Sequence, residues 1–376
     1  RALRADPKRK GLLYAGTERG MYISFNDGKN WQPFKQNLPI VPITDLTIKD
    51  DNLIAATQGR SLWIIDDLTP LHQLNSSVLK EDVVLYKPKS AYNLSAGRGR
   101  TSKTQGTNHP GGVAINYYIK KKDDKDVVSL TFFDANDNLI KKYSTKPNKE
   151  EKEETLKMED GNNIFYWNMM YPGAEKVKGM ILWWASLNGP MALPGNYKVE
   201  LAVNDKKLSQ NFDIVKNPVS ETSEADMKAQ FTFINDINKK MTEIHKALKN
   251  VKKVRAQVSL LKKSIKDRKK HKDLLDYADN LVKDITKIEE TLYQTKSKSG
   301  QDPLNFPIRL NNKLAHLNSL TRIGTYAPTQ QAIDFKNEIT KEIDVELNKL
   351  NTIFNSRVKE LNKKVKESAI DLIQLD

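Results

Sequence analysis

The run Ser24-Phe25-Asn26-Asp27-Gly28-Lys29-Asn30-Trp31 lies within a segment, residues 11–74, that is rich in short strand patterns. Residues 13–17 and 21–25 read as successive strands, and the Asn-Asp-Gly triplet follows the second one directly. Asn and Asp tolerate the left-handed backbone region and Gly enters it without steric cost. Asn26 and Asp27 can also accept hydrogen bonds from backbone amides in the turn. The run therefore predicts a hairpin turn that Trp31 closes.

The pattern around this turn repeats. Leu13-Tyr-Ala-Gly-Thr-Glu recurs as Leu53-Ile-Ala-Ala-Thr-Gln, and Gly20-Met-Tyr-Ile corresponds to Ser61-Leu-Trp-Ile with one residue inserted. A period of about 40 residues, built of short strands and Gly-containing turns, is typical of a β-propeller blade. One blade and part of another cannot close a propeller, which needs about four or more. We therefore expect the chain to be the C-terminal piece of a longer protein, whose upstream blades precede it or form a separate chain.

These residues also resemble a known family. Residues 24–31 are similar to the Asp-box of BNR-repeat propellers, Ser-x-Asp-x-Gly-x-Thr-Trp, with Asn26 in place of the usual Asp and Asn30 in place of Thr. Residues 16–24 and 56–71 resemble the last blades of secreted bacterial proteins catalogued as VPS10/sortilin-like, BNR-repeat "glycosyl hydrolase" proteins, which are common in Bacteroidetes. The resemblance extends over nearly the whole chain. It implies a secreted, periplasmic or cell-surface location, and its hydrolase label rests on fold analogy.

Composition sets the outer bounds. The chain has 376 residues, which is enough for two or three domains. An apolar content of 38% is too high for a disordered chain. No apolar run approaches the ~18 residues that cross a bilayer. Cysteine is absent, which excludes a disulfide, a thiolate metal site and a cysteine nucleophile.

Three regions follow from the changes in pattern along the chain. Residues 1–74 predict the last blade region of a propeller. Residues 75–217 contain about seven short strand patterns, among them 113–119, 128–133 and Ile181-Leu-Trp-Trp, and these predict an immunoglobulin- or fibronectin-III-like sandwich. Residues 218–376 switch to apolar residues spaced by three and four, which predicts long amphipathic helices in a bundle or antiparallel coiled coil. The fold class is thus multidomain β plus α.

The helical region divides further. An apolar stripe begins after a cap near residues 220–224 and continues to Ile265, and a second covers residues 274–292. A short helix is expected over residues 310–320. A third long helix is expected from the Pro328-Thr329 start signal to about Leu361.

The candidate catalytic and ligand-binding residues of the blade region are better explained by structural roles. Asp-box residues stabilise a hairpin at the rim of a propeller and report the fold, and here they are Ser24, Asn26, Asp27, Gly28 and Trp31. Glycoside hydrolysis uses two carboxylates roughly 5–10 Å apart. Adjacent residues of a strand face opposite sides, so Asp66 and Asp67 cannot both face one sugar, and capping of loop amides is the favoured role. Glu18 and Arg60 are candidates to line a channel, or equally to form a surface ion pair.

Other residues offer further binding chemistry. Aromatic faces stack on sugar rings. Of the consecutive Trp183 and Trp184, one should point outward from a strand. For Trp184, packing on the helices or the propeller is favoured over binding of a glycan. The five histidines lack the spacing of a zinc site, so no metal or cofactor is expected. Gly97-Arg-Gly-Arg-Thr, in the loop of residues 92–112, is interpreted as a mobile loop in preference to an anion site.

The net charge of +15 is concentrated between Lys239 and Lys272. A basic helix face suits an anionic polymer or surface, but the sequence contains no nucleic-acid recognition module, so nucleic acid is disfavoured as a partner.

The function expected for this chain is binding and scaffolding, with a glycan or a protein as ligand and no complete catalytic site. Whether the full protein is an enzyme is left open. The first alternative is a BNR-type glycoside hydrolase with its catalytic residues in the upstream blades. The second is a component of a cell-envelope or secretion assembly that docks on envelope proteins through the helical region.

Overall fold

A computed structural model describes residues 1–94, 108–121, 123–148, 150, 153–265, 267–368 and 370. The chain forms two compact units. The first contains residues 1–169 and 194–217, and the second contains residues 170–193 and 218–376. The architecture is mixed β plus α, with several sheets in the first unit and long helices toward the C-terminus.

Sixteen strands lie in the described residues of the first unit, together with the short helix α1, Thr69–Gln73, and a 3₁₀ turn, Val78–Lys80. The strands are β1 Ala2–Ala5, β2 Leu13–Thr17, β3 Gly20–Ser24, β4 Gln32–Pro33, β5 Ile43–Lys49, β6 Asn52–Thr57, β7 Leu62–Ile65, β8 Val83–Leu85, β9 Ala91–Asn93, β10 Val113–Ile119, β11 Val128–Phe133, β12 Leu139–Ser144, β13 Glu154–Thr155, β14 Gly161–Trp167, β15 Gly195–Val203 and β16 Lys206–Lys216.

The repeated segment folds into two antiparallel sheets. One is four-stranded, in the order β1-β2-β3-β4, and the other is three-stranded, in the order β5-β6-β7. The alternation of apolar residues in β2 and β6 places Leu12, Tyr14, Leu53 and Ala55 in one buried cluster that both sheets share. The repeat in the sequence is thus a repeat of hairpins, with β2–β3 corresponding to β6–β7.

Two further sheets face each other in the same unit. Their strand orders are β14-β10-β8 and β13-β12-β11-β15-β16-β9. Trp167 of β14 stacks on Phe132 of β11 with ring centroids 4.6 Å apart, and Phe212 of β16 meets the same indole edge-on. Alternate residues of β10 are buried against this aromatic core, which leaves Asn116 and Tyr118 on the opposite face of the sheet.

The helices of the second unit are α2 Glu224–Ser264, α3 Lys272–Leu292, α4 Leu310–Thr321, α5 Gln330–Asn355 and α6 Arg357–Glu367. Ser223 caps α2 by accepting a hydrogen bond from the amide of Asp226, and Thr329 caps α5 in the same way through Ala332. The predicted apolar stripes form the buried core between these helices. None of the helices in the described residues is long and apolar enough to span a bilayer.

Two sequence expectations are wrong. The third long helix is interrupted at Ser356, whose φ of −108° and ψ of −68° depart from helical values, and its hydroxyl donates to the carbonyl of Thr352 at 2.7 Å. The strand expected at residues 181–184 does not form either, because the backbone there is irregular and bonds to helix side chains.

The irregular segment of residues 170–193, which we call the strap, groups with the helices of the second unit. The two ends of the strap lie next to each other, because Met170 forms a β-bridge with Met191 and the amide of Tyr171 donates to the carbonyl of Pro190. The strap therefore belongs to the helical unit, although strands of the first unit flank it in the sequence.

Candidate functional site

The hairpin that carries the Asp-box resemblance is held by its own side chains. The Ser24 hydroxyl accepts from the amide of Gly28 at 2.9 Å and donates to Oδ1 of Asn26 at 3.1 Å. The same Oδ1 accepts from the amide of Asn30 at 2.9 Å, so Asn26 holds the turn through a carboxamide oxygen. Asp27 and Gly28 both have a positive φ. Trp31 is only partly covered, with 39% of its surface exposed.

Glu18 and Arg60 lie in corresponding turns, between β2 and β3 and between β6 and β7. Thr17 and Thr57 bridge these turns in the same way, each through its hydroxyl. Glu18 pairs with Nε of Arg1 at 2.5 Å, and Arg1 also donates to Gln58 at 3.3 Å, so the structure brings Glu18 and Gln58 together. Arg60 is exposed. Its amide donates to the hydroxyl of Thr57, and its carbonyl accepts from the indole of Trp63, so its backbone stabilises the turn.

Asp67 has the expected capping role. Its carboxylate accepts from the amide of Thr69 at 2.9 Å and from the amide group of Asn116 at 3.2 Å. Asp66 is exposed at the end of β7. Burial together with the charges of both aspartates raises the pKa of the nearby Tyr166 hydroxyl.

A buried carboxylate, Asp6, organises the base of the repeated segment. It accepts from Tyr14 at 3.1 Å, from His72 at 2.9 Å and from the amide of Lys8 at 2.8 Å. Burial alone would raise the pKa of Asp6, but the hydrogen bonds from Lys8 and His72 outweigh it and lower the pKa below its ordinary value. Because this carboxylate is enclosed and satisfied, we assign it a structural role.

One ligand-sized concavity in the first unit is a cleft of about 320 Å³, which we call the tyrosine cleft. The register of the sheet places Val84, Tyr118 and Asn162 in one row across β8, β10 and β14. The opposite wall comes from α1 and the turn that follows it. The full lining is Pro70, Leu71, Leu74, Val78, Leu79, Val84, Tyr86, Asn116, Tyr117, Tyr118, Asn162 and Asn163.

Hydrogen bonds preform this cleft. Gln73, the last residue of α1, donates to the carbonyl of Lys87 at 3.0 Å and accepts from the amide of the same residue at 2.8 Å. These bonds fix the apolar wall beside the end of β8. Asp67 holds the amide group of Asn116 on the sheet side. A ligand would therefore find both walls in place, which reduces the ordering cost of binding.

The two walls differ in chemistry. Leucine and valine side chains form one wall, while phenols and carboxamides dominate the sheet side. Burial raises the pKa of the Tyr86 hydroxyl, and the neighbouring Tyr118 adds to the effect, so Tyr86 remains a neutral donor and acceptor at physiological pH. The cleft suits a neutral ligand that has an apolar face and a hydroxyl- or amide-bearing edge.

Trp184 lies on the strap, with 74% of its surface exposed and a φ of 49°. Its indole meets that of Trp183 edge-on, with centroids 6.2 Å apart. Trp184 is thus the more exposed of the two tryptophans. The context differs from the expectation, because the pair lies on irregular backbone of the helical unit.

No group of three or more His, Asp or Glu residues within the described parts of the chain is arranged to hold a metal ion. The Gly97-Arg-Gly-Arg-Thr motif lies outside the described residues.

Sequence reasoning missed the tyrosine cleft. Asn116 and Tyr118 alternate with buried residues along β10, and this alternation marks an outward face that carries phenol and amide groups. The opposite wall could not be predicted, because the return of α1 over this sheet is a tertiary contact.

No protein-family model matches this chain, and no curated protein matches it either.

Proposed function

We propose that this chain is the C-terminal portion of an exported propeller protein of the BNR type, and that it acts in binding and scaffolding. Its parts are the last blade region, an immunoglobulin-like sandwich and a helical bundle. The ligand is a glycan, and its site is the tyrosine cleft. The observation that carries the proposal is the preformed cleft of about 320 Å³ with one apolar and one polar wall.

A sugar ring has the same two-sided character as the cleft. Its C–H groups form an apolar face and its hydroxyl groups form a polar edge, so it matches a leucine wall opposite phenols and carboxamides. The neutral Tyr86 and the carboxamide of Asn116 suit hydroxyl partners. A peptide with an apolar side chain and a polar backbone is the alternative ligand.

The scaffolding role is supported by the unequal sheets of the repeat. In the four-stranded sheet, the carbonyl of Met21 accepts from the amide of Phe34 at 2.8 Å, beside β4. The corresponding strand β7 has no strand on its outer edge in the described residues, and Leu62 and Ile64 are exposed there. An open edge of this kind accepts a further strand. We assign that strand to the missing blades, upstream in the same protein or in a separate chain.

The binding proposal is tested with Tyr118→Ala. Binding to an array of neutral oligosaccharides should identify a retained glycan, and its affinity should fall at least about tenfold in the variant, which corresponds to a loss of ~1.4 kcal/mol. Tyr92→Ala is the matched control, because Tyr92 is an exposed tyrosine of β9 in the same unit. Retention of no glycan, or an equal effect of the two substitutions, would contradict the proposal.

A glycoside hydrolase with its catalytic carboxylates in upstream blades is the first alternative. It predicts release of product from an artificial glycoside by the full protein, whereas a binding protein retains the glycan unchanged. Docking to cell-envelope proteins through the helical region is the second alternative. It predicts partners that co-purify with the chain and are lost when the residues after Pro218 are deleted.

A further inference from the structure

The strap carries a second exposed aromatic site, which we call the tryptophan corner and define as Trp183 and Trp184. The two indoles meet at 67° with their centroids 6.2 Å apart, so they form two walls of an open corner. The corner lies in the second unit, whereas the tyrosine cleft lies in the first.

Side chains of α4 clamp the backbone of this corner. The buried Asn312 accepts from the amide of Trp183 at 2.6 Å and donates to its carbonyl at 2.9 Å. The oxygen and the nitrogen of one carboxamide therefore both bind the backbone of Trp183. His316, one turn further along the helix, binds the carbonyl of Trp184 through Nδ1 at 2.7 Å. Positions i and i+4 share a helix face, which explains how α4 holds consecutive strap residues.

Trp184 combines two unfavourable features. A φ of 49° is in the left-handed region, which bulky L-residues rarely adopt, and most of the large apolar side chain is in water. Strained backbone of this kind persists where the surroundings impose it, and it clusters at ligand-binding positions. The hydrogen bonds of Asn312 and His316 impose this backbone conformation and hold the indole outward.

The chemistry of the corner selects its ligand. A carbonyl oxygen can only accept, so Nδ1 of His316 carries a proton, and when the ring carries no second proton its Nε2 is an acceptor that suits a hydroxyl group. Asn312 and His316, the groups that hold the corner, carry no negative charge, so a cationic ligand would gain no counter-charge from them. A flat apolar ring face with hydroxyl groups at its edge fits both the indole and the imidazole.

We propose that the tryptophan corner is a second carbohydrate-binding site, in which the face of a neutral pyranose ring stacks on Trp184 and its edge packs against Trp183. This inference rests on the glycan-binding role proposed above and adds a site on the other unit. Trp184 is the binding residue, and Asn312 and His316 are positioning residues.

The test uses the full chain and the substitutions Trp184→Gly, Trp184→Phe and Trp31→Ala. Glycine adopts a positive φ without strain, so Trp184→Gly should leave the melting temperature unchanged or raised, while affinity for the glycans that Tyr118→Ala still binds falls at least tenfold. Trp184→Phe keeps an aromatic face and should remain within about threefold of the wild-type affinity. Trp31→Ala removes another partly exposed tryptophan, in the first unit, and should leave glycan affinity unchanged.

Glycan binding is measured on the array of neutral oligosaccharides. Lipid binding is measured separately, with vesicles of phosphatidylcholine and phosphatidylglycerol at a ratio of about 3:1. Loss of glycan binding in Tyr118→Ala with full binding in Trp184→Gly would overturn the corner and leave the tyrosine cleft intact. Vesicle binding that depends on Trp184, without glycan binding, would assign the corner to lipid and overturn the inference. An equal loss in Trp184→Phe and Trp184→Gly would also overturn it, because ring stacking would then play no part.

Discussion

Ser24 shows how one side chain sets a local conformation. Its side chain is almost completely buried, and its oxygen connects the amide of Gly28 to the carboxamide of Asn26 across the tip of the hairpin. The turn needs this support because Asp27 and Gly28 both occupy the left-handed region. At this scale the side chains of Ser24 and Asn26 act on the backbone of the hairpin.

Ser24→Ala is expected to destabilise the first unit by about 1–2 kcal/mol, because the amide of Gly28 loses its acceptor in a partly buried position. Urea unfolding followed by tryptophan fluorescence measures the change, and hydrogen exchange at Gly28 should accelerate. Ser209→Ala, at an exposed serine of β16, is the control and should stay within about 0.5 kcal/mol of the wild type. Equal unfolding free energies for the two variants would show that the hydroxyl of Ser24 does not support the turn.

At the scale of the element, the strap depends on close backbone packing. A Cβ atom at Gly189 would lie 2.0 Å from the carbonyl oxygen of Tyr171, and one at Gly173 would lie 2.0 Å from that of Leu187. The two arms of the strap thus approach each other where only glycine fits. The carboxamides of Asn238 and Asn318 then bind the carbonyl of Asn188, at 2.8 and 3.1 Å.

Gly189→Ala is expected to cost the helical unit about 3 kcal/mol, because a backbone carbonyl must move to admit the methyl group. Circular dichroism at 222 nm during urea unfolding reports on α2 to α6 and measures the loss. Gly300→Ala is the matched control in the same unit, since no atom lies within 4 Å of its Cβ position. The close approach of the two arms would be refuted if both alanine variants unfolded at the same urea concentration.

At the scale of the whole molecule, the helical unit is discontinuous in sequence. Residues 218–376 provide the helices, and the strap provides polar and apolar partners for them. Asn312 binds Trp183, Arg322 binds the carbonyl of Gly189 at 2.6 Å, and Tyr293 accepts from the amide of Ile181 at 3.2 Å. Without the strap, these helix side chains would lose these hydrogen-bond partners.

Replacing residues 171–190 by a short glycine-serine linker should therefore destabilise the helices and spare the sheets. The adjacent ends, Met170 and Met191, make such a connection geometrically feasible. We expect a loss of at least about 3 kcal/mol in the second unit, because several buried polar groups would lose their partners. Hydrogen exchange should show faster exchange in α4 and unchanged protection in β10 and β11. Unchanged exchange in α4 would contradict the assignment of the strap to the helical unit.

The sequence by itself determined the local elements. The 40-residue repeat, the apolar alternation and the apolar stripes gave most strands and helices, because neighbouring residues fix strand and helix periods. The capping signals at Ser223 and Thr329 and the turn chemistry around Ser24 follow from side chains within a few residues.

Only the tertiary structure decided where the strap belongs and how the tyrosine cleft forms. Ile181-Leu-Trp-Trp has the composition of a strand, but Asn312 and Tyr293, more than 100 residues further along the chain, bind its backbone and replace a strand partner. The cleft depends in the same way on Gln73 reaching Lys87 beside the sheet. A backbone hydrogen-bonding group can be satisfied by any partner that the fold brings near, so the choice between a strand ladder and a side-chain clamp is not written in the local sequence.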